Sequence, residues 1–255
     1  MSTALVTGAT AGIGNAFVRR LAADRYDLIL VSRNEQRLEE LAAELRTSYG
    51  VQVETLAADL ADDAGCRTVE ARLGDRDQPV DLLVNNAGFS VNSRFITGDV
   101  EDEERMLRVL VRAVLRLTRA ALPGMLERQH GVIINVSSVA GFVPQGTYSA
   151  AKAWVTSFTQ GLVGDLAGTG VQVLALCPGY THTEFHERAE LGTTDLPEFV
   201  WQSADVVVAA ALRDLDRGRS VSIPGVLNQT AAAFSSVAPA GITRRVAGLV
   251  VKRSG

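Results

Sequence analysis

The chain has 255 residues, 47% of them hydrophobic and 21% charged, with a formal net charge of −4. That length suits one hydrophobic core with a small elaboration, and the composition excludes a disordered chain and a coiled coil. The negative balance gives no general electrostatic hold on nucleic acid or anionic lipid, so neither is an expected partner.

The first residues, Met1-Ser2-Thr3-Ala4-Leu5-Val6, carry no basic leader and run straight into a strand pattern. Cys66 and Cys177 lie far apart without metal-type spacing, which suits two reduced thiols; the expected location is cytoplasmic. Apolar runs at Thr3–Val6, Asp27–Ser32, Val51–Ala57, Val80–Asn85, Gly131–Val136, Gly170–Leu176 and Arg219–Pro224 predict strands. Helix-length stretches separate most of them. Near-continuous apolar strands such as Leu28-Ile29-Leu30-Val31 belong in a parallel sheet covered on both faces. The expected fold is therefore α/β: a doubly wound Rossmann-type parallel sheet, one domain over residues 1–255, with ligands beyond the carboxyl ends of the strands.

Between the first strand and the first helix stands Thr7-Gly8-Ala9-Thr10-Ala11-Gly12-Ile13-Gly14. Glycines there let the backbone approach a pyrophosphate, which the free N–H groups of the helix can bind; a purely structural turn is the other reading. The second strand ends in Val31-Ser32-Arg33-Asn34. An acidic residue would take the ribose hydroxyls of NAD, whereas Ser32 and Arg33 leave room and positive charge for a 2′-phosphate, favouring NADP(H) over NAD(H) unless Arg33 is an ordinary surface arginine.

A long helix is predicted over Glu101–Arg128, its start loaded with Asp99, Glu101, Asp102, Glu103 and Glu104 to suit the helix dipole. Arg105, Arg108, Arg112, Arg116 and Arg119 follow at helical spacing, with Glu101 to Arg105 and Glu104 to Arg108 as i,i+4 pairs. They read as a solvated face or a subunit contact. Met106, Leu110, Ala113, Val114 and Leu117 form the apolar stripe.

Tyr148-Ser149-Ala150-Ala151-Lys152 puts a phenol and an amine one turn apart on one helical face. A phenol ordinarily has a pKa of about 10, and a neighbouring ammonium together with an oxidised nicotinamide would depress it far enough for acid–base work near neutrality; taken alone, the pair also reads as structural. The stretch Tyr180–Gln202 offers Phe185, Leu191, Leu196, Phe199 and Trp201 among His182, Glu184, His186, Glu187 and Arg188. It reads as a covering segment over an apolar carbonyl or alcohol substrate. His182 and His186 lack the HExxH order, and no metal is expected. Ser220–Thr243 has no charged residue but is broken by Pro224, Asn228, Gln229 and Pro239, which argues against a membrane span.

Together these segments resemble the short-chain dehydrogenase/reductase family. The resemblance rests on the Thr7–Gly14 turn, Asn85-Asn86-Ala87-Gly88, Ser137-Ser138, Tyr148-xxx-Lys152 and Pro178-Gly179-xxx-Thr183, in that order along the chain. It implies an NADP(H)-dependent oxidoreductase moving a hydride between nicotinamide and a carbonyl or secondary alcohol. Tyr148 would exchange the proton, Lys152 would hold the nicotinamide ribose, and Ser138, with Ser137 as the fallback, would orient the substrate oxygen. Gly8, Thr10, Gly12, Ile13 and Gly14 would line the pyrophosphate, and Ser32 and Arg33 the 2′-phosphate. Asp59 and Leu60 would flank the adenine, Asn86, Ala87 and Gly88 the adenine ribose side, and Pro178, Gly179 and Thr183 the carboxamide or phosphates. A homodimer or homotetramer through the long helix and the Tyr148 helix is implied as well.

Two departures stand out. Leu110-Val111-Arg112-Ala113 places Leu110 where the family has an asparagine that positions a relay water, and the Ser138–Tyr148 interval is shorter than usual. The first motivates a second reading, a nucleotide-binding sensor or partner protein with little turnover.

Overall fold

The computed structural model describes residues 2–91, 93–183 and 197–237. Seven parallel strands stand in the order β3-β2-β1-β4-β5-β6-β7: β1 Thr3–Thr7, β2 Asp27–Ser32, β3 Val53–Ala57, β4 Leu82–Asn85, β5 Gly131–Val136, β6 Val171–Leu176 and β7 Val221–Ser222. The helices are α1 Gly12–Ala23, α2 Glu35–Tyr49, α3 Asp63–Leu73, α4 Val100–Leu107, α5 Val114–Arg128, α6 Gly146–Asp165, α7 Ala204–Asp216 and α8 Val226–Val237.

Alternating strand residues feed two cores, which is why the strands are apolar throughout. Ala4, Val6, Leu28, Leu30 and Ile134 face α1, α2 and α7, where Phe17, Leu21, Leu38 and Val207 are buried. Leu5, Ile29, Val31 and Ile133 face the opposite layer, packing with Cys66 and Val69 of α3 and Leu117 and Met125 of α5. Because β1 pairs with both β2 and β4, the chain reverses its winding direction there and opens a crevice beyond the ends of these strands.

Four strands are shorter than predicted, β6 by a single residue and β3, β4 and β7 by more, the last three for local reasons. The Val80 carbonyl, ahead of β4, accepts from Arg128 at 3.0 Å. Gln52, ahead of β3, gives its N–H to the Asp27 carboxylate at 2.8 Å. In β7 the Ser222 hydroxyl is tied to buried Asp214 at 2.7 Å, and Pro224 soon after has no N–H to extend a ladder.

The long helix departs from expectation in two ways. Between α4 and α5, residues Arg108–Ala113 form a π-helical segment, so one continuous rod is α, then π, then α. Its arginines do not simply face solvent: Arg112 pairs with Asp63, Arg116 with Glu70, and Arg105 with Asp59 at 2.5 Å rather than with Glu101. Only Arg108 keeps the predicted i,i+4 partner, Glu104, at 3.9 Å. The row of positive charge thus stitches the long helix to α3 and to the segment preceding it.

Candidate active site

The turn after β1 is shaped by close backbone approach. Gly8 and Gly12 have φ of +66° and +53°, a region that penalises a Cβ. At Gly14 a Cβ would lie 2.2 Å from the Gly8 carbonyl oxygen, so only glycine lets α1 start beneath the turn. The helix begins without a capping side chain or an acidic residue in its first turn, leaving its N-terminal dipole directed at the crevice. A phosphate would supply what the sequence withholds there. Thr10 meets Ser32 hydroxyl to hydroxyl at 3.2 Å, and exposed Arg33 follows at the rim.

Across the reversal point, Asn86 fastens β4 to this turn. Its side-chain amide donates to the Thr7 carbonyl at 2.9 Å, while the Thr7 hydroxyl accepts from the backbone N–H groups of Asn86 and Ala87 at 2.9 and 3.0 Å. Asp59 has its carboxylate held from two sides, by the Ala61 N–H at 2.9 Å and by Arg105 at 2.5 Å.

At the far end, β5 delivers Ser137 and Ser138, which both reach the cleft but have different hydrogen-bond partners. Ser137 is buried; its hydroxyl donates to the Lys152 carbonyl at 2.6 Å and meets Thr156 at 2.8 Å, inside the packing of α6. Ser138 lies on the cleft, caps the short turn Val139–Phe142 by accepting from the Ala140 N–H at 3.1 Å, and is hydrogen-bonded to Tyr148. The short interval to Tyr148 is closed through Gly141, where a Cβ would lie 2.8 Å from the Ala153 nitrogen, so the turn sits directly on α6.

Lys152 points its ammonium at the Val136 carbonyl, 2.8 Å away, with Nζ 5.7 Å from the centre of the Tyr148 ring. Burial pushes Tyr148 up to about 12, only partly offset by its Ser138 hydrogen bond; the depression expected from sequence calls for an oxidised nicotinamide beside the ring as well as the Lys152 ammonium. Burial likewise pushes Lys152 down to about 8, against the opposing charge of Cys177. The physical reason is dryness, since removing either group from water disfavours its charged form.

These residues line one cleft of about 460 Å³. Of the residues expected from sequence, Gly8, Thr10, Gly12, Ile13, Ser32, Arg33, Asp59, Leu60, Asn86, Ala87, Gly88, Ser138, Tyr148, Lys152, Pro178, Gly179 and Thr183 all line it. Gly14 lies behind the turn. Thr183 rests on the phosphate turn, its methyl group 2.9 Å from where a Gly12 Cβ would be. Gly179 is covered by Asn228 of α8, which also binds the Pro224 carbonyl at 2.8 Å and Gln202 at 3.3 Å.

Sequence reasoning missed Arg105, Phe89, Ser90 and Thr181 in the lining. Arg105 was masked by its regular place in the arginine row; Phe89 and Ser90 directly follow the Asn86-Ala87-Gly88 motif and could have been included on position alone. At the substrate end a bridge between Thr181 and Gln202 brings Tyr180, Trp201 and His182 together, with ring centres 5.6 Å apart for Tyr180 and Trp201 and 4.9 Å for His182 and Trp201. His182 also meets Glu198 at 3.0 Å, and Phe199 is exposed. The remaining expected lining, Phe185, Leu191 and Leu196 with Glu184, His186, Glu187 and Arg188, lies outside the described residues, as does Pro239. Among the described residues no His, Cys, Asp and Glu cluster suits a metal, and no helix is long and apolar enough to cross a membrane.

Residues 2–193 match the family model for short chain dehydrogenase. An NADP-dependent 3-hydroxy acid dehydrogenase of Shigella flexneri is 37% identical over 204 residues, covering 78% of this chain and 81% of its own. Among solved structures, a short-chain dehydrogenase from Sphingobium yanoikuyae in complex with NADPH superposes with a TM-score of 0.84 at 36% identity, covering 94% of this chain and 96% of its own. A bulky-bulky ketone specific alcohol dehydrogenase from Comamonas testosteroni gives 0.80 at 30% identity, over 94% and 95% of the two chains.

Proposed function

Since the chain belongs to the short chain dehydrogenase family and is an oxidoreductase of it, we propose that it is an NADP(H)-dependent reductase or dehydrogenase of apolar carbonyl or secondary alcohol substrates. The observation that carries this reading is the meeting of Ser138, Tyr148 and Lys152 at the end of a cleft whose other end is an uncapped helix turn.

A dinucleotide fits the residues present. The turn's backbone admits no Cβ at Gly14, the helix N-terminus is open to an anion, and Ser32 and Arg33 line the cleft, where they would take a 2′-phosphate. When bound, the nicotinamide supplies or takes the hydride at the substrate carbon. Gly8, Gly12, Ile13 and Thr10 bind the phosphates, Asp59 and Leu60 bracket the adenine, and Lys152 holds the ribose. In the reducing direction Tyr148 gives its phenolic proton to the substrate oxygen, and Ser138 donates a hydrogen bond to that oxygen as charge develops on it. Ser137 acts from behind, by fixing the backbone of α6 at Lys152.

The apolar preference is supported by Phe89 in the lining and by the Tyr180 and Trp201 rings beside the cleft mouth. A single domain, with a covering segment over 180–202 and a C-terminal extension over 225–255, is part of the same proposal, as are a cytoplasmic location and assembly as a homodimer or homotetramer. The names of the relatives are those of enzymes, so the sensor reading is not favoured. Tyr148→Phe is expected to lower turnover of an aromatic or aliphatic ketone with NADPH by about 100-fold or more, while nucleotide binding persists. An unchanged rate would remove Tyr148 as the proton donor.

A further inference from the structure

The wall behind Lys152 is apolar in an unusual place. Leu110 lies in the π-helical segment and is 1% exposed. With Met106 and Ala151 it forms a small core of its own, against which Phe89, Val91 and Tyr148 pack. A Cβ at Gly88 would lie 2.8 Å from Leu110 Cδ2 and 4.0 Å from Lys152 Nζ, so leucine methyl and ammonium flank the same bare stretch of backbone.

Resting on the reading above, we propose that Leu110 is a positioning residue that keeps water from reaching Lys152 from the long-helix side, so that Lys152 exchanges its proton only through the open cleft. The Lys152 surroundings leave few other influences. Along α6 the titratable neighbour is Tyr148, and at the end of β6 it is Cys177, itself buried. The end of β5 offers the neutral Ser137 and the Val136 carbonyl, and the segment after β4 offers Gly88 and Phe89. On the long helix, Glu103 precedes Leu110 and is largely buried, and Asp59 and Arg105, which line the cleft, satisfy each other. Among the described residues no carboxylate is bonded to the ammonium, so its charge depends on solvation, and Leu110 removes one face of that solvation.

The sign follows directly. Burial has pushed Lys152 down to about 8; admitting water or an amide beside it favours the charged form and moves its titration upward. The experiment compares wild type with Leu110→Asn, Leu110→Ala and Leu110→Met over a pH series at saturating NADPH. The alkaline limb of turnover is expected to move up by about half a pH unit or more in Asn and Ala and to stay in place in Met, which refills the volume without a polar group. A limb that moves in none of the three, or moves as far in Met as in Ala, overturns the proposal.

A second measurement needs no substrate. The pH dependence of Lys152 acetylation by acetic anhydride, read by mass spectrometry on the unliganded protein, should show a higher midpoint in Leu110→Ala than in wild type. Equal midpoints would also overturn the proposal. Because this readout is independent of turnover, a failure of the Tyr148 assignment and a failure of the Leu110 assignment give different results.

Discussion

Two adjacent hydroxyls with unlike fates show what residue identity alone could decide. Ser137 and Ser138 are equivalent as letters and both line the cleft, but the turn of the strand end gives their hydroxyls different partners: the first bonds the α6 backbone and Thr156, the second Tyr148. Tyr148 and Lys152 were legible because helical spacing fixes their common face. How deeply the two are buried was not, since that depends on how much water the folded chain removes. Arg33 shows the reverse case, where charge at a strand end is readable without any fold. Arg33→Ala is expected to weaken NADPH binding by about tenfold or more, by loss of a charged phosphate partner, and to leave NADH nearly unchanged. Fluorescence titration of both nucleotides checks this, and equal loss for the two would contradict it.

The strands and their faces could be read from pattern because both sheet faces are buried and the apolar runs are continuous. The ends of β2 and β5 could be read as well, but those of β3 and β4 could not, since they depend on side chains such as Asp27 and Arg128 competing for backbone groups. The π-helical segment had no signal either: its residues continue the helical periodicity, and the extra residue in the turn shows only in three dimensions. The turn before α1 makes the strongest demand on a single residue. Gly14→Ala would put a methyl against the Gly8 oxygen and the Asn86 amide. A loss of about 2 kcal/mol in urea denaturation, with NADPH binding abolished, is expected; binding at wild-type strength would show that the turn can yield.

Taken whole, the molecule has its cleft beyond the carboxyl ends of the strands and a second kind of surface on the long helix. Arg112 and Arg116 are engaged with α3, which leaves Leu107 and Val111 in a shallow hollow beside Glu104 and Arg108, with Leu115 exposed further along. Light scattering is expected to give at least twice the chain mass, and Val111→Glu to reduce it toward the single chain. A monomeric wild-type protein would end the assembly proposal. No arithmetic of composition could place that hollow, because its lining of Glu104, Leu107, Arg108, Val111 and Arg112 is brought together by the helix itself.

Gly179 carries the last consequence. Asn228 occupies the space any larger residue there would need, and the same amide is tied to Gln202 and Pro224. Variation at this corner has to move three segments together, whereas Phe95, Ile96 and Phe199 stand exposed and can be exchanged one at a time. A larger side chain at position 179 is thus resisted by three segments at once, so this corner is far less free to vary than those exposed rings and chains.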